Sequence, residues 1–189
     1  MASRRLFVSV DLPAGLTDAF AEVQKPFTNR AGIRPVEPSQ AHVTVKFLGD
    51  VEEPAVDDVI EAVEQGVDTA GVGSFQASIG GIGVFPSFDY ISVIWIGVRD
   101  GATELTDLHE AIEAATVAVG VEPESHEFTP HVTLARMEHA EDKEHIQQLV
   151  SERDPTVGEM RVDDVRVKES TLGPDGPEYE TIHRVSLAR

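Results

Sequence analysis

The chain has 189 residues, of which 41% are hydrophobic, with no cysteine and a formal charge of −19. That length suits one domain with a sizeable core, and the lack of cysteine excludes disulfides, thiolate zinc sites and cysteine nucleophiles. The charge argues against a general nucleic-acid binder, which carries a basic face; acidic residues are spread along the whole chain, which fits a halophilic source whose salt screens surface repulsion.

The basic start, Met1-Ala2-Ser3-Arg4-Arg5, leads into a short strand-like run and lacks the longer apolar stretch of a signal peptide. No apolar run reaches the roughly 20 residues that cross a bilayer, so a cytoplasmic protein without membrane contact is expected. Residues 5–12 alternate and read as a strand. Pro13 then opens a helix with Leu16, Phe20, Val23 and Phe27 at helical spacing. Residues 32–39 hold two prolines and read as a connection, followed by a strand from His42 that stops at Gly49-Asp50. Pro54 opens a second helix whose apolar face is Val56, Val59, Ile60 and Val63. Phe75, Ala77 and Ile79 alternate, the glycines at 80, 81 and 83 predict a bulge or bend, and residues 90–98 form a strongly β-forming run. A long helix over residues 103–119 precedes a polar connection, a strand from His131 and a short helix over residues 141–151. A strand over 162–170, a turn containing Asp175-Gly176 and a last strand over 179–187 close the chain as a hairpin. Hairpins interrupt the alternation of strands and helices, so an α+β fold with mixed or antiparallel sheets is expected.

One phrase occurs twice. His42-Val43-Thr44-Val45 opens HVTVKFLG, and His131-Val132-Thr133-Leu134 opens HVTLAR. Side chains two apart on a strand share a face, so each copy sets an imidazole beside a hydroxyl and turns its aliphatic residues the other way. A single His-x-Thr is explained by β-propensity and a satisfied core histidine; two copies in similar surroundings, each after a helix and before another, are not. Two such lobes related by a rough twofold bring the phrases together across a cleft.

Histidine titrates near neutrality and serves as base or acid. A pair therefore suits metal-free opening of a phosphodiester, one deprotonating water and the other protonating the leaving oxygen; a strained 2′,3′-cyclic phosphate needs little more. Thr44 and Thr133 supply neutral donors to the non-bridging oxygens. Arg136, five residues after His131, offers a planar cation. Lys46 is a weaker candidate, sharing the face of His42 and Thr44 if the strand continues regularly. These residues leave open which histidine is acid and which is base, and whether Phe47, Phe85, Phe88 or Tyr179 stacks on a base. His109, His126, His139, His145 and His183 read as structural. No H-x-H or H-E-x-x-H spacing occurs, so no metal or other cofactor is expected. A metallohydrolase, or a binding module that keeps the cleft without turnover, are the competing classes.

At these residues the sequence resembles the RNA 2′,3′-cyclic phosphodiesterase (2′-5′ RNA ligase-like) family of the 2H phosphoesterase superfamily, defined by two H-x-T-x motifs. The opening RLFVSVDLP, GIGVFPS with the Trp-containing strand after it, FTPHVTLAR and the LGPDGPEY tail are similar to other family segments, so the resemblance covers nearly the whole chain. It implies a single bilobal domain over residues 1–189, with two pseudo-symmetric lobes around a central cleft. It further implies His42 as general acid, His131 as general base, and Thr44, Thr133 and Arg136 as phosphate contacts. The partners it implies are RNA ends or small nucleotide 2′,3′-cyclic phosphates, handled by a monomer without metal. Some family members also join RNA halves through 2′-5′ linkages. The acidity of this chain points to short ends and not long RNA, whose binding rests on many phosphate contacts. Another small cyclic phosphate, such as a cyclic nucleotide product of sugar or tRNA processing, is the alternative substrate.

Overall fold

The structure is a computed structural model that describes residues 2–28, 30–139 and 141–188; Met1 of the basic start lies outside them. The chain runs β1 (Ser3–Asp11), α1 (Thr17–Gln24), β2 (Ile33–Pro35), β3 (His42–Glu52), α2 (Val56–Ala70), β4 (Phe75–Pro86), β5 (Ile91–Val98), α3 (Ala102–Val117), β6 (His131–Met137), α4 (Lys143–Glu152), β7 (Thr156–Val162), β8 (Asp164–Gly173) and β9 (Gly176–Ser186). This is the expected α+β class. Its ladders are antiparallel, and parallel pairing appears only at the isolated bridge between Gly73 and Ala188 among the described residues. No helix among them is long and apolar enough to cross a membrane.

The strands follow the order β7-β4-β5-β6-β3-β1-β8-β9, with β2 added beside β6. β3 and β6 meet where Val43 opposes Val132. From that junction one half reads β3-β1-β8-β9 and the other β6-β5-β4-β7. The two halves share one hydrogen-bonded path, so the repeated phrases lie side by side on neighbouring strands and not on two separate sheets.

The alternation in the phrases decides which way each side chain points. Val43, Val45, Val132 and Leu134 enter the core with Val8, Ile94, Ile96 and Leu108, all at most 1% exposed. His42, Thr44, His131 and Thr133 stay on the other, partly open face. Burial of these aliphatics, each worth about 1.5–3 kcal/mol, makes a one-residue slip of either strand prohibitive.

Two strands went unforeseen. β7 reads weakly, because Val157 and Met160 lie three apart and alternation would put them on opposite faces, and only a register shift against β4 buries both; β2 spans three residues with a proline. The glycine run does form a bulge: β4 and β5 shift register between Ile79 and Ile82, with Gly81 at a φ of 85°. Gly83 has a different duty, since a Cβ there would fall 2.1 Å from the Trp95 ring.

Candidate active site

The register at Val43 and Val132 sets His42 across from Thr133 and Thr44 across from His131. The four side chains thus occupy the corners of a small quadrilateral, histidines on one diagonal and threonines on the other. In a regular ladder such diagonal neighbours lie about 7–8 Å apart, somewhat less between Cβ atoms, a spacing on the scale of a phosphate. All four line a cleft of about 860 Å³.

Each imidazole is held in the same way. The Nδ1–H of His42 donates to the Gln40 carbonyl at 2.8 Å, and that of His131 donates to the Thr129 carbonyl at 2.6 Å. A carbonyl only accepts, so the neutral tautomer is fixed with the Nε2 lone pair turned away from the backbone. Nε2 of His42 meets the Thr44 hydroxyl at 3.0 Å. Aromatic rings wall both imidazoles. Phe7 and Tyr179 lie 5.0 and 5.3 Å from His42, while Phe85 and Trp95 lie 4.9 and 5.8 Å from His131. Phe85 and Tyr179, two of the base-stacking candidates, therefore flank the histidines edge-on. Phe88 is exposed outside the cleft lining, and Phe47 projects into the cleft at 61% exposure.

Both strands bulge at the fourth residue of the phrase. On β3, Thr44 and Lys46 oppose the consecutive residues Ser9 and Val8, leaving Val45 extra. On β6, Thr133 and Ala135 oppose Trp95 and Ile94, leaving Leu134 extra. The burial pattern of the first six residues is identical in the two strands. A bulge reverses the facing of everything after it, which corrects one expectation and explains another. Lys46 does not continue the face of His42 and Thr44: its side chain is 1% exposed, and its ammonium donates to the Glu122 carbonyl at 2.8 Å and to Glu113 at 3.2 Å, with Glu124 at 3.6 Å. Arg136, which an unbroken strand would turn away from His131, is returned to the cleft.

The bulges are fastened by buried polar residues. The Nδ1–H of His109 on α3 donates to the Val45 carbonyl at 2.7 Å, and Nε2 of Gln24 on α1 donates to the Leu134 carbonyl at 2.9 Å. His109, read as structural, is that, and Phe128 stacks on it at 4.2 Å. Glu113 beside it also accepts from the Glu124 N–H at 2.5 Å. Burial alone would raise the Glu113 carboxyl, but that N–H and Lys46 outweigh it and hold the group below its ordinary range. Lys46 thereby ties the bulge of β3 to the connection that leads into His131. Gln24 carries no sequence signal that separates it from any helical glutamine.

Charges distinguish the two histidines. Burial pushes both imidazoles below their ordinary value. Beyond burial and the carbonyl bonds, His42 feels the Asp11 carboxylate, which favours its protonated form, against Lys168 and His131. Among the described residues, the charge that acts on His131 is that of Arg136, which opposes its protonation. Asp11 opposes His42 in the β1–β3 register and is bound by Lys168 at 2.6 Å, Ser9 at 2.8 Å and Arg166 at 3.1 Å. Burial raises its carboxyl, yet these partners prevail and keep it below the ordinary carboxylate range.

Of the remaining histidines, His126 lines the cleft and His183 pairs with Glu64 at 2.6 Å. The acidic residues Glu52, Glu53, Asp57 and Asp58 are exposed. Among the described residues no group of three or more His, Asp or Glu is arranged to hold a metal ion.

An antiparallel sheet with two symmetry-related His-x-Thr strands at its centre defines a two-histidine phosphoesterase architecture. The chain belongs to the 2′-5′ RNA ligase superfamily, whose profile matches residues 13–172. It is 36% identical over 178 residues to an RNA 2′,3′-cyclic phosphodiesterase of Methanothermobacter thermautotrophicus, covering 93% of this chain and 94% of the relative. An Aeropyrum pernix protein of the same name is 35% identical over the same coverage. A crystal structure from Thermus thermophilus is 28% identical and matches 97% of each chain with a TM-score of 0.78. Escherichia coli LigT in complex with 3′-AMP is 20% identical with a TM-score of 0.81 over 99% of each chain, a likeness of fold.

Proposed function

We propose that this protein hydrolyses the 2′,3′-cyclic phosphate at RNA 3′ ends to a 2′-phosphate, with His131 as general base and His42 as general acid. The observation that carries this reading is the quadrilateral. Its histidines stand on opposite sides of the point where a phosphate would sit, as in-line displacement requires, and relatives at more than 30% identity are named for this activity.

Nε2 of His131 removes a proton from water as the water oxygen bonds to phosphorus. The bond from phosphorus to O3′ breaks, and Nε2–H of His42 protonates the leaving oxygen, giving a 3′-hydroxyl and a 2′-phosphate. Thr44 and Thr133, on the other diagonal, donate to the non-bridging oxygens as charge grows on them. Arg136 adds a planar cation at the edge of the same face. The roles follow from the local charges: Asp11 favours a proton on His42, and Arg136 disfavours one on His131. Lys46 acts as a positioning residue, since its ammonium is committed to Glu113 and Glu124.

The test is hydrolysis of a short RNA ending in 2′,3′-cyclic phosphate, with chelator present, by wild type, His42→Ala and His131→Ala. Opening to a 2′-phosphate by the wild type, lost in both variants, is expected. Activity that appears only when metal is restored would overturn the metal-free mechanism.

A further inference from the structure

The cleft contains a pair of cations that the two-histidine chemistry does not require together. β5 occupies one edge of β6, so β2 and β3 lie end to end along the other. This sets Arg34 of β2 directly opposite Arg136 of β6, and both line the cleft. Like charges directly opposite on neighbouring strands repel. In a chain with 34 acidic and 15 basic residues a carboxylate between them would be easily supplied. Yet among the described residues their only ion-pair partner is Glu138, 2.9 Å from Arg34, and the Arg34 side chain is 65% exposed. Glu37 and Glu127 line the cleft without pairing to either guanidinium.

Position gives the pair its meaning. Along β6 the open face runs His131, Thr133 and, because of the bulge at Leu134, Arg136. Arg136 therefore stands roughly 7 Å beyond Thr133, two strand steps away, with Arg34 beside it. An RNA end held with its cyclic phosphate between the histidines carries its next phosphodiester one nucleotide further on. Building on the cyclic phosphodiesterase reading, we infer that Arg34, with Arg136, binds the phosphodiester immediately 5′ to the reacting end. Arg34 is then a specificity residue: it makes an oligonucleotide end a better substrate than a free cyclic mononucleotide. Two planar guanidinium groups grip a phosphodiester bidentately, and Glu138 holds Arg34 until RNA replaces it.

The experiment uses a dinucleotide ending in 2′,3′-cyclic phosphate, its analogue with an uncharged methylphosphonate in the internal linkage, and the cyclic mononucleotide. Turnover is compared between wild type and Arg34→Gln at fixed salt. Neutralising the linkage is expected to lower kcat/KM about tenfold in the wild type, the worth of one charge-assisted hydrogen bond, and to cost clearly less in Arg34→Gln, where Arg136 alone remains. Glu138→Gln is expected to widen the dinucleotide's advantage. Equal sensitivity to the methylphosphonate in both proteins, or no dinucleotide advantage in the wild type, would overturn the inference. Binding of the dinucleotide and mononucleotide 2′-phosphates, by titration calorimetry, separates the two readings. A dinucleotide preference that depends on Arg34, in a folded protein without turnover, would sustain the subsite and defeat the hydrolytic reading.

Discussion

The β3 and β6 half-sites share a backbone and differ in what surrounds it. Both begin with a histidine whose Nδ1–H is held by the carbonyl two residues earlier, and both bulge at the fourth residue. Both have the bulge carbonyl bonded by a buried helix side chain, His109 in one and Gln24 in the other. After the bulge they part. Lys46 and Phe47 on β3 correspond to Ala135 and Arg136 on β6, and Asp11 with Lys168 and Arg166 lies by His42 alone. In the proposed mechanism the shared features place two imidazoles on opposite sides of the reacting phosphate. In that mechanism the differences in nearby charge decide which imidazole carries the proton. A reaction that needs one acid and one base can be built on a symmetric scaffold when only the neighbouring charges are asymmetric.

The comparison breaks most visibly at the histidines. His42→Ala and His131→Ala are each expected to lower kcat by about 10²–10⁴-fold, the worth of general acid–base catalysis, in single-turnover hydrolysis. The corresponding threonines should matter alike: Thr44→Val and Thr133→Val are each expected to cost about 10²-fold in kcat, as for lost oxyanion donors. A large disparity between them would mean that the phosphate is not shared across the diagonal. His109→Leu removes the helix donor from the Val45 carbonyl, and Gln24→Leu removes that from the Leu134 carbonyl, which keeps the Val36 N–H at 3.0 Å; an expected loss of about 1–3 kcal/mol, larger for His109→Leu, is checked by urea unfolding. Lys46→Met sharpens the contrast, since Ala135 does without a charge at the matching position. It is expected to destabilise by about 2 kcal/mol through the carboxylates it leaves and to lower kcat, because the connection into His131 loses its tie to β3.

Much of the site was legible because it rests on short-range alternation. His42, Thr44, His131 and Thr133 follow from the period of a strand, and the aliphatic residues between them fix the facing. Lys46 and Arg136 show where that reasoning stops. One extra residue in each strand inverts the facing downstream, and nothing in Val45 or Leu134 announces a bulge, because the helix side chains that hold them arrive from 64 and 110 residues away. Asp11 escaped for the same reason: its role exists only through the pairing of β1 with β3 and β8. The fold class was readable from the hairpin signals, whereas β2 and β7 are too short or too poor in large apolar residues to stand out.

The assignment of roles is tested most directly by the pH dependence of kcat/KM for wild type, Asp11→Asn and Arg136→Gln. The wild type is expected to give a bell, its acid limb set by the base that must be neutral and its basic limb by the acid that must be protonated. Removing the Asp11 carboxylate lowers the pKa of His42, so the basic limb should move to lower pH. Removing the Arg136 cation raises the pKa of His131, so the acid limb should move to higher pH. Limbs that exchange, the acid limb moving in Asp11→Asn and the basic limb in Arg136→Gln, would contradict the account and make His42 the base.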